Sequence, residues 1–207
     1  MSDHLHLPLI LLAALLAMAS PGPATLAIAG TAMARGRRAG LTLAAGISTG
    51  SLIWSLAAAF GLAALMAAHG WVFEIVRYAG AAYLAVLAVK SARAALSAGA
   101  LHPRAMSGGP GAVYRKGLAL HLTNPKAIFF IGSIYSMGVP RDATPGEFAV
   151  VIAALTVQSV LVNTTYATLF SVPAMTRAYV RARRGFEGVF AAGFGLASLK
   201  VLTARLS

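Results

Sequence analysis

Gly117-Leu118-Ala119-Leu120-His121-Leu122-Thr123-Asn124-Pro125-Lys126-Ala127-Ile128-Phe129-Phe130 decides the fold. These residues sit inside an apolar run long enough to cross a bilayer, yet its middle carries a histidine, an amide, a proline and a lysine, each awkward in hydrocarbon. Proline cannot donate a backbone N–H and disturbs the turn before it. A helix here must therefore kink or break near Asn124 and leave backbone groups in need of partners. An ionisable side chain at that depth costs at least a few kcal/mol, so Lys126 is expected to face protein, water or a ligand. Packing alone can account for a proline kink, and a lone lysine can snorkel to an interface. What argues for more is a second break elsewhere in the chain.

Composition sets the frame. The 207 residues are 58% hydrophobic and 11% charged, with mean hydropathy +0.77, whereas soluble domains carry about 25% charged residues. A water-soluble surface cannot be built from so little charge, so the expected class is an all-α, polytopic membrane protein. Helices rather than a barrel follow from long, continuous Ala- and Leu-rich runs without polar/apolar alternation. Cysteine is absent, which removes thiol redox chemistry, disulfides and Cys-ligated metals. A net charge of +12 would suggest nucleic acid in a soluble protein. Here the basic residues gather in short loops, and positive-inside retention explains them, so the partner is the lipid bilayer and no nucleic acid is expected.

Six transmembrane helices are expected. The first apolar run goes from Leu5 to about Ala34, interrupted by Ser20-Pro21-Gly22-Pro23. Ala17-Met18-Ala19 has the look of a signal-peptidase site, but the leading residues lack a positive n-region and the apolar run resumes past the prolines, so one broken span is expected instead. Arg35-Gly36-Arg37-Arg38 makes a basic turn. The second span covers about Ala39 to Ala68, and the pairs Gly36/Gly40 and Gly46/Gly50 have the small-xxx-small spacing that lets backbones approach. After a turn at His69-Gly70-Trp71, the third span runs from Val72 to Ala95, with Glu74 and Arg77 close enough to pair at the outer interface. Residues 96–114, with Gly108-Gly109-Pro110-Gly111, read as a flexible cytoplasmic connection. The fourth span covers Arg115 to Val139, the fifth Phe148 to Tyr179 and the sixth Phe186 to Leu206.

Arg35 to Arg38, Lys90 to Lys116 and Arg177 to Arg184 are the strongly basic connections. Placing them in the cytoplasm puts both termini in the periplasm, with Lys200 and Arg205 on the unfavoured side. Pro21 and Pro125 lie roughly a hundred residues apart, each in the first helix of a three-span half. An odd number of crossings separates the halves, so they read as two inverted three-helix repeats with broken first helices, 1–95 and 115–207, sharing one membrane domain.

Where a helix restarts after Pro23 and after Pro125, free N–H groups and the positive end of the dipole offer a seat for a carboxylate. Lys126 adds a full charge, Asn124 and Thr25 can hydrogen-bond either end of a zwitterion, and unwound carbonyls before each proline can take an ammonium. His121 shares a face with Asn124; it can carry a coupling proton or simply hold helices together as a neutral ring. Asn163, beside Thr164 and Thr165, either lines the cavity or bonds between helices. The candidate translocation site is therefore Pro21, Gly22, Pro23, Thr25, His121, Asn124, Pro125, Lys126 and Asn163.

In order and spacing, several stretches resemble the LysE-type amino-acid exporter family, which includes lysine, threonine, homoserine and leucine efflux proteins. They are Pro21-Gly22-Pro23 with Arg35-Gly36-Arg37-Arg38-Ala39-Gly40, Gly80-Ala81-Ala82-Tyr83-Leu84, Gly117 through Asn124-Pro125-Lys126-Ala127, and Phe186 with Phe194-Gly195-Leu196. The resemblance implies a bacterial inner-membrane exporter driven by proton motive force, with the two proline breaks central to transport. This chain departs from it at Ala24, where many members have Asp or Asn after Pro-Gly-Pro, and at His121, where Asn is frequent. With the acidic candidate gone, the visible cavity charge is positive, which favours a neutral amino acid over a cationic one. A metal or inorganic-ion exporter is the alternative, weakened by five acidic residues with none paired inside a span. No cofactor or resident metal is expected, and the missing nucleophile–base constellation argues against an enzyme. Small-residue stripes permit a homodimer without requiring one.

Overall fold

The computed structural model describes residues 5–68, 70–97, 105–140 and 143–203. Among these residues the chain forms seven helices and no strand: α1 (Leu7–Ala19), α2 (Pro23–Ala68), α3 (Gly70–Leu96), α4 (Pro110–Leu122), α5 (Pro125–Gly138), α6 (Pro145–Leu169) and α7 (Pro173–Thr203). Proline is the first residue of α2, α4, α5, α6 and α7. Its missing N–H is among the groups a helix start leaves unbonded anyway, and its φ is already helical.

The two breaks fall where proline chemistry requires. α1 ends at Ser20, whose ψ of 141° is extended, and α2 restarts at Pro23. α4 ends at Thr123, and Asn124 (φ −80°, ψ 110°) caps α5 by accepting the Lys126 N–H at 3.0 Å. α1, α4 and α5 have 13, 13 and 14 residues. Each is about 20 Å long, so two laid end to end suffice for a hydrocarbon core of about 30 Å.

α2 is bent at Gly36, whose φ of 81° and ψ of 173° are open essentially to glycine alone. A Cβ built on Gly40 would lie 2.8 Å from the Cβ of Ala32, whereas eight residues of straight helix rise about 12 Å. The chain therefore folds back at Gly36 into limbs 23–35 and 37–68. The expected basic turn at Arg35 to Arg38 is this elbow. Gly36 thus serves the turn rather than a packing pair, and nothing lies within 4 Å of a Cβ placed there. Gly46 and Gly50 do serve close approach: a Cβ on Gly46 would overlap the Tyr114 carbonyl, and one on Gly50 would meet the His121 Cβ at 2.9 Å. From the other side, a Cβ on Gly117 would come within 2.5 Å of the Leu43 carbonyl oxygen. The backbones of α2 and α4 are in contact with no side-chain layer between them.

Three boundaries differ from expectation. The fifth helix of the sequence reading ran through Pro173 to Tyr179, but α6 stops at Leu169 and Pro173 opens α7. The apolar run Leu169-Phe170-Ser171-Val172 masks a turn closed by Ser171 N–H to the Thr168 carbonyl and Val172 N–H to the Leu169 carbonyl. Arg177 to Arg184 are consequently helical, in the first turns of α7, and not a loop. Likewise Pro110 begins α4, so residues 110–114 belong to the helix rather than to the 96–114 connection. Its described stretch 105–109 is tied down: Arg35 donates to the carbonyls of Met106 at 2.7 Å and Gly108 at 2.8 Å, and the Met106 N–H donates to Thr31 Oγ1 at 2.9 Å. The side chains of Glu74, Arg77, Trp71 and Lys200, together with His69 and Arg205, lie outside the described residues.

α3 packs chiefly on α7, α2 on α4 and α6, and α1 on α5, α6 and α7. Ile10, Tyr135, Leu155 and Phe194 centre the main apolar core. Outward faces are apolar too: Leu161, Val189, Leu196 and Leu199 are each more than half exposed, a surface suited to acyl chains and not to water. α6 is long and apolar enough to cross a membrane, and so by length and composition is the Pro23–Gly61 part of α2, which the Gly36 elbow divides between the two limbs.

Candidate functional site

The two breaks meet. Lys126, one residue into α5, sends its ammonium to the end of α1, donating to the Ser20 carbonyl at 2.9 Å and to Ser20 Oγ. The sequence reading foresaw an unwound carbonyl before Pro21 able to take an ammonium; in the structure that ammonium is the protein's own lysine. The other carbonyls of the last turn of α1 are also served by side chains. Ser20 Oγ donates to Ala17 at 3.0 Å, and Tyr166 Oη on α6 donates to Ala19 at 2.5 Å. The last carbonyls of a helix have no partner within the helix, and side chains supply them here.

Fewer backbone donors are free than the sequence suggested. The Gly22 N–H already donates to Thr25 Oγ1 at 2.9 Å, and Thr25 Oγ1 faces the Gly22 carbonyl at 3.2 Å and that of Ser20 at 3.4 Å. Thr25 therefore fastens the restart of α2, and the Asn124 side-chain oxygen caps α5, so these two polar groups shape the breaks first. Gly22 leaves room for the lysine: a Cβ there would come within 3.2 Å of Lys126 Nζ.

Ser20, Asn124 and Lys126 form the partition between two cavities. The narrower, about 60 Å³, is lined by Thr25, Ser51, His121, Ser159 and Asn163 together with these three. Both ring nitrogens of His121 are buried without a hydrogen-bond partner, so the ring presents unused polar atoms on this cavity's wall. Asn163 serves both of its candidate roles: it lines the cavity, and its amide donates to Ser48 Oγ at 3.0 Å and Ser159 Oγ at 3.2 Å, joining α6 to α2. The wider cavity, about 280 Å³, lies between the breaks and the α3–α7 pair, with Pro21, Pro23, Tyr83, Lys90, Ser91 and Glu187 on its walls. Of the expected site, only the Pro125 side chain lies outside the described residues.

Sequence reasoning missed Glu187. It is 3% exposed, it shares the wall of the wider cavity with Ser91 on α3, and it lies within electrostatic reach of Arg183 one turn back and of Lys126 across the cavity. The site is thus not purely positive, as the sequence implied. The signal was present: Glu187, Phe190, Phe194 and Ser198 follow helical spacing, and all four are buried. An acidic residue on the apolar side of such a helix is a candidate by default. With the sixth span expected to begin at Phe186, Glu187 stands at its very start, where a charge reads as belonging to the interface; α7 in fact begins at Pro173 and carries Glu187 in its interior.

A helical membrane protein whose interrupted helices meet beside cavities lined by polar side chains has the build of a transporter. The chain belongs to the LysE type translocator family, whose model matches residues 15–205. It is 32% identical to the threonine efflux protein of Escherichia coli over 192 residues, 88% of this chain and 91% of that protein. The homoserine/homoserine lactone efflux protein of Salmonella typhimurium is 31% identical over 160 residues, 77% of each chain. The leucine efflux protein of Klebsiella pneumoniae is 34% identical over 138 residues, 67% of this chain and 65% of that one. No solved structure matches. The protein is accordingly a membrane translocator and not an enzyme.

Proposed function

We propose that the protein is a secondary-active exporter of amino acids across the bacterial inner membrane, coupled to protons and working by alternating access at the Ser20–Lys126 junction. The cargo is a neutral amino acid, the kind named for the threonine and leucine efflux relatives. The observation that carries this is the junction itself: a lysine from one broken helix holds the end of the other, between a narrow and a wide cavity. A cargo carboxylate competes for the Lys126 ammonium and so releases Ser20. Two half-helices no longer tied end to end can then shift relative to each other, which moves the partition from one side of the cargo to the other.

The same proposal includes the topology: six spans as two inverted repeats, with both termini periplasmic. Its support is the matched pairing of a broken helix (α1 with limb 23–35; α4 with α5), then an uninterrupted helix (limb 37–68; α6), then a long one (α3; α7). Inside-out vesicles containing the protein are expected to take up labelled threonine, homoserine or leucine when a proton gradient is applied, above vesicles without it. Uptake of none of the three would refute the assignment.

A further inference from the structure

We infer that Glu187 is the ammonium-binding group of the cargo site, so that the wider cavity holds an amino acid by both ends, carboxylate on Lys126 and ammonium on Glu187. This rests on the exporter assignment and adds a second pole to it.

Three observations converge. First, Glu187 is 3% exposed and, among the described residues, is the one acidic side chain that lines this cavity. A carboxylate removed from water needs compensation, and a leucine would fill the same helix face without that cost. Second, the cavity's other charged walls, Lys90 and Lys126, are both cationic. Without Glu187 the cavity would repel any ammonium group. Third, the dimensions suit a small zwitterion. At about 280 Å³ the cavity lies near the lower end of the roughly 300–1,000 Å³ range of small-molecule pockets, which leaves room for a ligand of threonine's size. Tyr83 and Ser91 add hydroxyls to the wall, and Leu87 and Phe194 add apolar surface for a short side chain.

The surroundings explain why the carboxylate is poised for a cation. Arg183 on its own helix and Lys126 on α5 act on it through space, the hydrogen bonds of Lys126 being made to Ser20, and Ser91 on α3 stands on the same wall. When cargo arrives, its carboxylate takes Lys126 and its ammonium supplies Glu187 with a contact partner. Both buried protein charges are then paired by one ligand. An amino acid satisfies this arrangement, whereas a simple carboxylic acid leaves the Glu187 pole unmet.

The test compares L-threonine with its α-hydroxy analogue, in which a hydroxyl replaces the ammonium, binding to full-length protein in lipid nanodiscs. Wild type is expected to prefer threonine. Glu187→Gln should lose about 10-fold to 100-fold in threonine affinity and leave the analogue's affinity unchanged, which also shows that the variant is folded. Ser91→Ala should show a smaller loss, about threefold, again for threonine alone. Unaltered threonine binding by Glu187→Gln would overturn the inference, including the case where only the response to a proton gradient is lost. Equal loss of both ligands would overturn it as well, making Glu187 a structural counter-charge to Lys126. Failure of wild type to bind threonine, homoserine or leucine would overturn the exporter assignment and this subsite together, a result separate from any behaviour of the variants.

Discussion

Lys126→Met removes the ammonium at the junction while keeping an unbranched side chain of similar length. The lost contacts are the donations to the Ser20 carbonyl, at 2.9 Å, and to Ser20 Oγ. Charge-assisted hydrogen bonds of this kind contribute about 1.5–3 kcal/mol each. If the cargo carboxylate uses one such bond to the lysine, its loss corresponds to about 10- to 150-fold at 1.4 kcal/mol per decade. Gradient-driven uptake of threonine into inside-out vesicles, measured below saturation, should fall by that factor, while immunoblotting finds the variant in the membrane at the wild-type level. Lys126→Arg should not restore transport, because a Cβ at Gly22 would already stand 3.2 Å from Nζ and the planar guanidinium needs more width than the ammonium. Wild-type flux through Lys126→Met would refute the reasoning outright. Full activity of Lys126→Arg would show that charge alone matters and that the tight fit against Gly22 does not.

Two further substitutions test the scaffold. Gly117→Ala sets a Cβ 2.5 Å from the Leu43 carbonyl oxygen, forcing α2 and α4 apart at a cost of about 1–3 kcal/mol. The melting midpoint of purified protein should drop by several degrees, with Gly61→Ala, where a Cβ meets nothing within 4 Å, as the unaffected control. Gly36→Ala places a side chain at φ 81°, ψ 173° and should cost a similar ~1–3 kcal/mol, read as a lowered midpoint. A midpoint equal to wild type would mean that the elbow relaxes away from that conformation.

Most of the fold was legible because its decisive residues act through the backbone. Pro21 and Pro125 announce broken helices wherever they sit in an apolar run, and the structure interrupts the helices at both. Boundaries were lost where apolar continuity outweighed proline, as at Leu169 to Val172, and where glycine's two uses could not be told apart. Gly36 and Gly46 look alike in a sequence, yet one bends the chain and the other admits a neighbouring helix. In the site, Lys126, Asn124, His121 and Asn163 line one cavity, but their partners could not be read from the sequence. Ser20 is an ordinary residue until the two breaks are brought together in space. Glu187 was hidden because its helix begins at Pro173, 13 positions before the expected start at Phe186, so a residue in the helix interior reads as one at the span's end.

The glycine contact between α2 and α4 limits how this molecule can rearrange. Helices that slide past one another do so by rotating side chains through small adjustments, and here the Gly46 and Gly117 faces have none to rotate. The pair forms a post: α4 cannot creep along α2 without driving carbonyl oxygen into Cα. In the proposed alternating-access cycle this contact would be the pivot, and α1 and α5, whose ends are joined by Lys126, would be the parts that swing.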